Sequence, residues 1–406
     1  MSMKILFINT LYSPYIGGGA EITLKSLIEG FKTKGHNVSV LSTGPKPGLN
    51  EDEVDGIRVY RVGVRNLYWH HRTDKPHSWL RALWHLRDSY NPAMGRIVER
   101  LVKDIKPDLV NCHNIVGFSS SVWPAISRAG VPISQVLHDL YNLCPTSNMF
   151  CHGRSCVRQC IRCKLFRIPH VKLSKKVSCV IGVSQFILQR HLDYGLFSGS
   201  AIKIAIHNAR SIKRCKHRGP VANDRTLTFG FIGSLVPAKG VELLLQAFNA
   251  IDIIKGSRLL IAGVGPEPYQ SQLKLYQTEQ ISFLGYTNPE DFFPKIDVLV
   301  VPSIWNDTLP GVVVESLANS VPVIGSCLGG IPEMITNGEN GFLFDPNNPS
   351  DLRKILNKLI EAPEQVENMR ALVSLSAEQF IDTNRWINMY EKVFVDLIGT
   401  SLLIQK

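Results

Sequence analysis

Two successive series of strand-length apolar runs, each run trailed by a helical pattern or a short connection, constrain this chain more than any other feature. The first reads KILFINT, VSVLST, IRVYRV, DLVNC, ISQVLH, SCVIGVS and KIAIHN, with helical patterns such as 20–34 and 93–105 between them. The second reads LTFGFIGS, RLLIAGVG, ISFLGY, DVLVVPS and VPVIGS. Parallel strands need long crossovers, so this alternation predicts βαβ units in a parallel sheet. The stretch NARSIKRCKHRGPVANDRT (208–226) is polar, basic and broken by Pro and Gly, and reads as a linker. The expectation is an α/β chain of two doubly wound domains, 1–208 and 209–381, facing a central cleft. From about 349 onward the pattern is only helical. The last piece, TNRWINMYEKVFVDLIG, carries Trp386, Met389, Tyr390, Val393 and Phe394 on one side, which predicts that a final helix, 382–406, docks on a domain surface.

With 406 residues, the chain is long enough for two cores. It contains no run of roughly eighteen apolar residues, and ILFI near Met1 is too short for a signal peptide. The reading is cytosolic, with attachment to the inner face of the membrane left open. The net charge of +11 is concentrated: residues 151–218 hold fifteen Lys and Arg against one acid, Asp193, leaving the rest near −3. This segment has few aromatics to stack on bases, so nucleic acid is not expected. An anionic membrane surface, a phosphate-bearing acceptor and a plain solvated face all fit.

The chemistry-bearing residues sit where strands give way to helices. WNDTLPGVVVE (305–315) spaces Asp307 and Glu315 eight positions apart with Pro310 and Gly311 between them. Pro310 suits a helix start. Asp307 is therefore placed on a loop beyond a strand, and Glu315 in the second turn of the next helix, where open parallel sheets bind ligands. FIGSLVPAKG puts Gly233 at a strand end and Lys239 just ahead of a helix, where a lysine can neutralise a departing diphosphate. YSPYIGGGAE supplies Gly17, Gly18 and Gly19 before a helix from Ala20, so backbone can approach an anion closely. CLGGIPEMI adds Gly329 and Gly330. Neither GGGAE nor GVGPEP, with Gly263, has the spacing of a dinucleotide fingerprint.

These residues together resemble the family 4 retaining glycosyltransferases. PSIWNDTLPGVVVESLANSVPV and LGGIPE look like the acidic E-x7-E region, and GGGAE, KGHNVSVLST, DLVNCHN, LHDLYNLCP, GVS, GSLVPAKG, LLIAGVGPE and FLGY follow the family order over nearly the whole chain. The resemblance implies a GT-B fold, a nucleotide-sugar donor held mainly by the second domain, a glycan or lipid-linked acceptor held by the first, and a final helix, 382–406, that crosses back to complete the first domain. Carried onto this sequence, Glu315 holds the donor ribose and Asp307 reaches the transferred sugar where the family usually has Glu. Lys239 holds the diphosphate. Gly18 and Gly19 approach phosphate and sugar, and His138 contacts the sugar near the reacting carbon. Gly233, Ser234, Gly263, Leu309 and Gly311 complete the donor set. Ser234 departs from the family, many of whose members have arginine there, and Ala209 replaces a frequent glycine. His113 reads as structural. The resemblance implies retention without a protein nucleophile, a leaving phosphate oxygen taking the acceptor's proton, and no cofactor or metal for catalysis. A bacterial surface-polysaccharide pathway is the expected setting; a sugar-nucleotide epimerase and a degenerate scaffold are the alternatives.

Two features stand apart. Cys144, Cys151, Cys156, Cys160 and Cys163 fall within twenty residues, and CVRQCIRC contains C-x3-C-x2-C. Structural zinc on Cys151, Cys156, Cys160 and Cys163, with Cys144 as an alternative ligand, is the preferred reading; an iron–sulfur cluster and reduced thiols stay open. LYWHHRTDKPHSWLRALWHLR interleaves Trp69, Trp79 and Trp84 with basic residues, and is read as an acceptor-side segment with inward-packing aromatics in preference to an interfacial helix.

Overall fold

The computed structural model describes residues 2–71, 76–215, 226–251 and 257–404. Residues 216–225 of the expected linker, 72–75 of the aromatic segment, and the end of the final helix at 405–406 lie outside the described residues. The chain packs as two units, one of residues 1–149, 157–208 and 384–406, the other of 150–156 and 209–383.

The first unit is built on β1 (Lys4–Ile8), β2 (Asn37–Gly44), β3 (Leu49–Val54), β4 (Ile57–Gly63), β5 (Leu109–Cys112) and β6 (Ile133–Leu137). The short strands β7 (Phe150–Cys151) and β8 (Arg154–Ser155) pair with each other and belong to the second unit. Then β9 (Cys179–Gly182) and β10 (Ile202–Ala205) complete the first sheet, in the order β10-β9-β6-β5-β1-β2-β4-β3. Every pair in it is parallel except β3 on β4, a polar edge strand that the apolar pattern does not reveal. Crossovers run through α1 (Gly19–Thr33), α2 (Ser78–Ser89), α3 (Pro92–Ile105), α4 (Val122–Arg128), α5 (Ile161–Leu173) and α6 (Gln185–Asp193). Central strand β1 is apolar from Ile5 onward because both its faces are covered, with Ile5, Leu6, Phe7 and Ile8 fully buried.

The second unit's sheet comprises β11 (Leu227–Ile232), β12 (Ser257–Ala262), β13 (Ile281–Gly285), β14 (Val298–Val301), β15 (Val323–Ser326) and β16 (Gly341–Phe344). All its pairs are parallel, in the order β13-β12-β11-β14-β15-β16. That is the 3-2-1-4-5-6 order of a dinucleotide-type doubly wound sheet, whose chain reverses direction across the sheet between β11 and β14. Its helices are α7 (Val241–Asn249), α8 (Glu267–Lys274), α9 (Pro289–Phe292), α10 (Gly311–Ala318), α11 (Pro349–Glu361) and α12 (Glu364–Ile381). Val298, Leu299, Val323, Val313 and Leu317 lie at the centre of its core.

The final helix, α13 (Thr383–Ile404), buries Trp386, Ile387, Tyr390, Val393, Phe394 and Leu397. Phe394 stacks on Phe31 of α1 at 5.3 Å. Gly30 makes room for this docking, since a Cβ there would stand 2.2 Å from Ile387 Cδ1. Met389, expected on the same face, lies at the helix edge and is 36% exposed.

Candidate functional site

The second unit gathers its candidate residues at the point where the sheet order reverses. The loop after β11 and the loop after β14 flank that point, and the structure joins them: Lys239 Nζ donates to Asp307 Oδ2 at 2.6 Å. Neither residue's neighbour in sequence predicts this, because 68 positions separate them. The juxtaposition is enforced by backbone. Gly240 has φ 69°, and a Cβ on it would lie 1.8 Å from Pro302 O, so only glycine lets the Lys239 turn close on the β14 loop. Ile304 N donates to Ala238 O at 3.0 Å, adding a second tie. From the other side, Gly330 N donates to Asp307 O at 2.7 Å, and a Cβ on Gly329 (φ 64°) would meet that same carbonyl at 2.0 Å. The LGG turn therefore clasps the Asp307 backbone. Lys239 Nζ also stands 5.3 Å from the centre of the Trp305 ring. The buried Ser303 Oγ and Trp305 Nε1 on this loop find no protein partner, an unusual state for buried polar atoms and one that a polar ligand relieves.

Gly233 and Gly263 end β11 and β12, and the two turns touch: a Cβ on Gly263 would sit 1.8 Å from Gly233 O. Ser234 is exposed at the head of the Lys239 loop. Leu309 packs partly buried against the core just before α10. Pro310 is the N-cap of α10, as its missing donor favours, and Glu315 falls in the second turn. There the Glu315 carboxylate accepts from Arg210 NH1 at 3.3 Å. Burial raises the Glu315 carboxyl above its ordinary range, and the Arg210 charge and hydrogen bond pull the other way. Glu315 also lines a cavity of about 410 Å³ with Ile212, Lys213, Asn288 and Asn319. Arg210 is the residue that sequence reasoning missed, because it lies in what reads as a linker. Its backbone is anchored by Arg210 N donating to Phe380 O at 2.9 Å, and its guanidinium crosses the start of α10 so closely that a Cβ on Gly311 would be 2.2 Å from NH1. The cation absent at Ser234 thus has a counterpart within the same unit.

The first unit places GGG after β1, beside the loop after β5. His113 N donates to Ile8 O at 2.8 Å and Thr10 N to Asn114 O at 2.8 Å, stapling the two loops. Gly18 is the N-cap of α1, and its amide is taken by Glu21 Oε2 at 2.8 Å. Gly18 is extended at φ −178°, and the nearest atom to an added Cβ is Glu21 Oε2 at 4.0 Å. The fold of this unit does not itself demand glycine there. His138 follows β6, and its Nε2 lies 2.7 Å from Nδ1 of His113, whose Nε2 lies 2.6 Å from Asn111 Oδ1. Asn111 Nδ2 in turn donates to Ser134 Oγ at 3.1 Å, so a chain of side-chain contacts runs from Ser134 through Asn111 and His113 to His138. Burial depresses the His138 imidazole to about 4 and His113 well below its usual value, the His138 charge adding to the latter. His113, read from sequence as structural, is the group that orients His138. Asp139 turns its Oδ1 to Tyr141 N at 2.8 Å, and burial lifts its carboxyl to about 6 against that bond.

The cysteines divide. Cys151 and Cys156 belong to the second unit, while Cys144, Cys160 and Cys163 belong to the first, with Cys144 and Cys163 sulfurs 3.6 Å apart. The hydrogen bond between them lowers Cys144 to about 5 and raises Cys163. Among the described residues no three His, Cys, Asp or Glu side chains gather where one ion could be held. The C-x3-C-x2-C spacing is therefore what supports zinc, and the placed sulfurs do not form its cage. Nor do the tryptophans all pack inward: Trp84 is buried, Trp69 donates to Thr43 Oγ1 at 3.0 Å, and Trp79 is 64% exposed. Among the described residues no helix is long and apolar enough to cross a membrane.

Residues 17–204 match the family described as Glycosyltransferase Family 4, and residues 213–372 match Glycosyl transferases group 1. An uncharacterized 42.6 kDa protein in the cps region of Klebsiella pneumoniae is 30% identical over 82% of this chain and 87% of its own. The fold is that of sucrose-phosphate synthase from Thermosynechococcus elongatus, with a TM-score of 0.74 at 16% identity over 98% of this chain and 100% of that one. Anabaena HepE, solved in complex with UDP, gives 0.70 at 19% identity over 97% and 100%. The architecture is GT-B, with two parallel-sheet domains.

Proposed function

Since the chain belongs to the group 1, family 4 glycosyltransferases, we propose that it is a retaining enzyme that moves a sugar from a nucleotide-sugar donor to a glycan or lipid-linked acceptor in surface-polysaccharide synthesis, working at the inner face of the cytoplasmic membrane. The observation that carries this reading is the Lys239–Asp307 pair at the sheet's reversal point, with Glu315 one helix turn beyond it. Anion-holding and hydroxyl-holding groups stand side by side there, as a nucleoside diphosphate sugar requires. A relative in a cps region supports the polysaccharide setting, and a UDP-bound structural neighbour supports a nucleotide donor.

In this reading the Glu315 carboxylate accepts from both ribose hydroxyls, a bidentate role that an ionised acid suits. Arg210 pairs with that acid in the absence of donor, opposing the rise that burial causes, and turns toward the diphosphate when the ribose takes its place. Lys239 neutralises the charge that develops on the leaving diphosphate. Asp307 is released from Lys239 to take sugar hydroxyls. The acceptor oxygen bonds to the reacting carbon on the face from which the diphosphate oxygen departs, so retention needs no protein nucleophile. A leaving phosphate oxygen takes the acceptor's proton, so no protein base is needed. His138, neutral and oriented by His113, contacts the sugar near the reacting carbon.

Thermal unfolding of the purified protein with UDP, GDP, ADP and their sugar conjugates tests this. A ligand at a hundredfold its Kd adds about 2.7 kcal/mol, so one base should raise the midpoint by about 2 °C or more. Glu315→Ala should abolish that rise. No rise with any nucleotide would favour a degenerate scaffold, and consumption of a sugar nucleotide without acceptor would favour an epimerase.

A further inference from the structure

Two neighbouring helices of the first unit are inside out. On α2, Trp79, Leu83, Leu86 and the following Tyr90 fall at i, i+4, i+7 and i+11, one continuous stripe, and they are 64, 49, 62 and 47% exposed. The opposite face holds buried Trp84 and Asp88. On α5, Ile161, Leu165 and Ile168 repeat the same spacing and are 78, 63 and 42% exposed, while Arg167 and His170 are fully buried beneath them. An ordinary surface helix does the reverse. The inward polar groups satisfy one another in part: Asp88 accepts from Tyr141 Oη at 2.5 Å and from Gly117 N at 2.7 Å, and the Arg167 guanidinium lies 4.2 Å from the Tyr141 ring centre.

The two stripes meet in an open apolar groove of about 600 Å³ lined by Leu86, Tyr90, Ile161, Leu165, Phe166 and Pro169. So large an exposed apolar face marks an interaction surface. Its charges are all of one sign. Exposed Arg87 flanks the stripe on α2, and exposed Arg162, Lys164 and Lys172 flank it on α5, followed by Lys175 and Lys176. Neither helix exposes an acid, since Asp88 is buried and α5 has none.

We propose that the α2–α5 face docks on an anionic lipid bilayer, its apolar stripes entering the headgroup–acyl boundary and its Arg and Lys side chains pairing with lipid phosphates. Apolar side chains with Trp and Tyr among them, rimmed by cations, are what such an interface selects. A second copy of the chain is a poorer occupant, because a two-fold contact sets these cations against one another. This names the attachment face for the membrane setting proposed above, on which it rests, but its test needs no donor chemistry.

The test is flotation of the full-length protein with vesicles of phosphatidylcholine alone and of equimolar phosphatidylcholine and phosphatidylglycerol. The protein should float with the anionic vesicles and at least about tenfold less with the neutral ones. Replacing both leucines (Leu86→Gln, Leu165→Gln) should cut partitioning about tenfold or more, since each loses an apolar side chain from the bilayer. Because both positions are exposed, the unfolding midpoint should not change. The pair Arg162→Gln and Lys172→Gln should weaken binding to anionic vesicles only, and gives a second test if the leucine variant misfolds. No flotation, or unchanged flotation of the leucine variant, overturns the proposal. So does a dimer in solution that the leucine variant converts to monomer. A failed nucleotide panel beside intact flotation would refute the enzymatic reading alone.

Discussion

Removing the Lys239 charge should expose how tightly the donor loops depend on one ion pair. Lys239 Nζ and Asp307 Oδ2 are 2.6 Å apart, with side chains 28 and 11% exposed. Such a pair stands between an exposed one, worth about 0–1 kcal/mol, and a buried one, whose disruption costs about 3–5 kcal/mol. Lys239→Met, which keeps most of the stem over Trp305, should therefore cost about 2 kcal/mol, mostly from leaving Asp307 buried without a counter-charge. Asp307→Asn should cost about 1 kcal/mol. The double variant should recover part of the loss, giving a coupling of about 1–2 kcal/mol in a double-mutant cycle. Urea unfolding of the four proteins measures it, and repeating the cycle in high salt should change it little because the pair is largely shielded from solvent. Additivity within about 0.5 kcal/mol would refute the reasoning. The same Lys239→Met variant should weaken binding of a nucleoside diphosphate far more than of the parent nucleoside. Equal weakening of both would remove Lys239 from the diphosphate.

Three further outcomes are expected. Gly240→Ala, at φ 69° and 1.8 Å from a carbonyl, should cost roughly 2 kcal/mol or more of stability, whereas Gly18→Ala, extended and uncrowded, should leave stability within about 0.5 kcal/mol yet lower transferase activity; a destabilised Gly18→Ala with normal activity would contradict this. Stability should fall as pH drops from 6.5 toward 4, because His70, His85, His138 and His191 are held near 4 by burial, and His113 and His170 well below their usual value, so the unfolded chain binds protons that the folded chain refuses, each worth about 1.4 kcal/mol per pH unit. Asp88 and Asp139, raised to about 6, and Glu315, raised by burial, act oppositely but are fewer than the histidines, so a flat midpoint between pH 7 and 5 would refute the assignment. Arg210→Gln should push the Glu315 carboxyl higher and make nucleotide binding more sensitive to falling pH, while a pH profile like that of the unsubstituted protein would show that Arg210 does not oppose the effect of burial on Glu315.

The sequence by itself determined most of the elements and where their ends fall. Strand-length apolar runs, Pro310 before a helix and glycines at strand ends are local signals, and β11 through β15 with α10 form where those signals stand, while the short β16 was not among the runs read. Asp307 on a loop and Glu315 in a second helical turn were legible for the same reason. What only the tertiary structure decided is which distant side chains meet and which face of a helix turns inward. Lys239 finds Asp307 because the sheet order brings the first and fourth strands together, and Arg210 finds Glu315 because its backbone is tied to the end of α12. His113 becomes the support of His138 only once β5 and β6 lie side by side. On α2 the sequence reading turned the aromatics inward, and the structure does so for Trp84 but leaves Trp79 exposed. Periodicity records that apolar residues share a face, while packing decides whether that face is covered, and here Asp88, Tyr141, Arg167 and His170 occupy the interior and leave the apolar stripes outside.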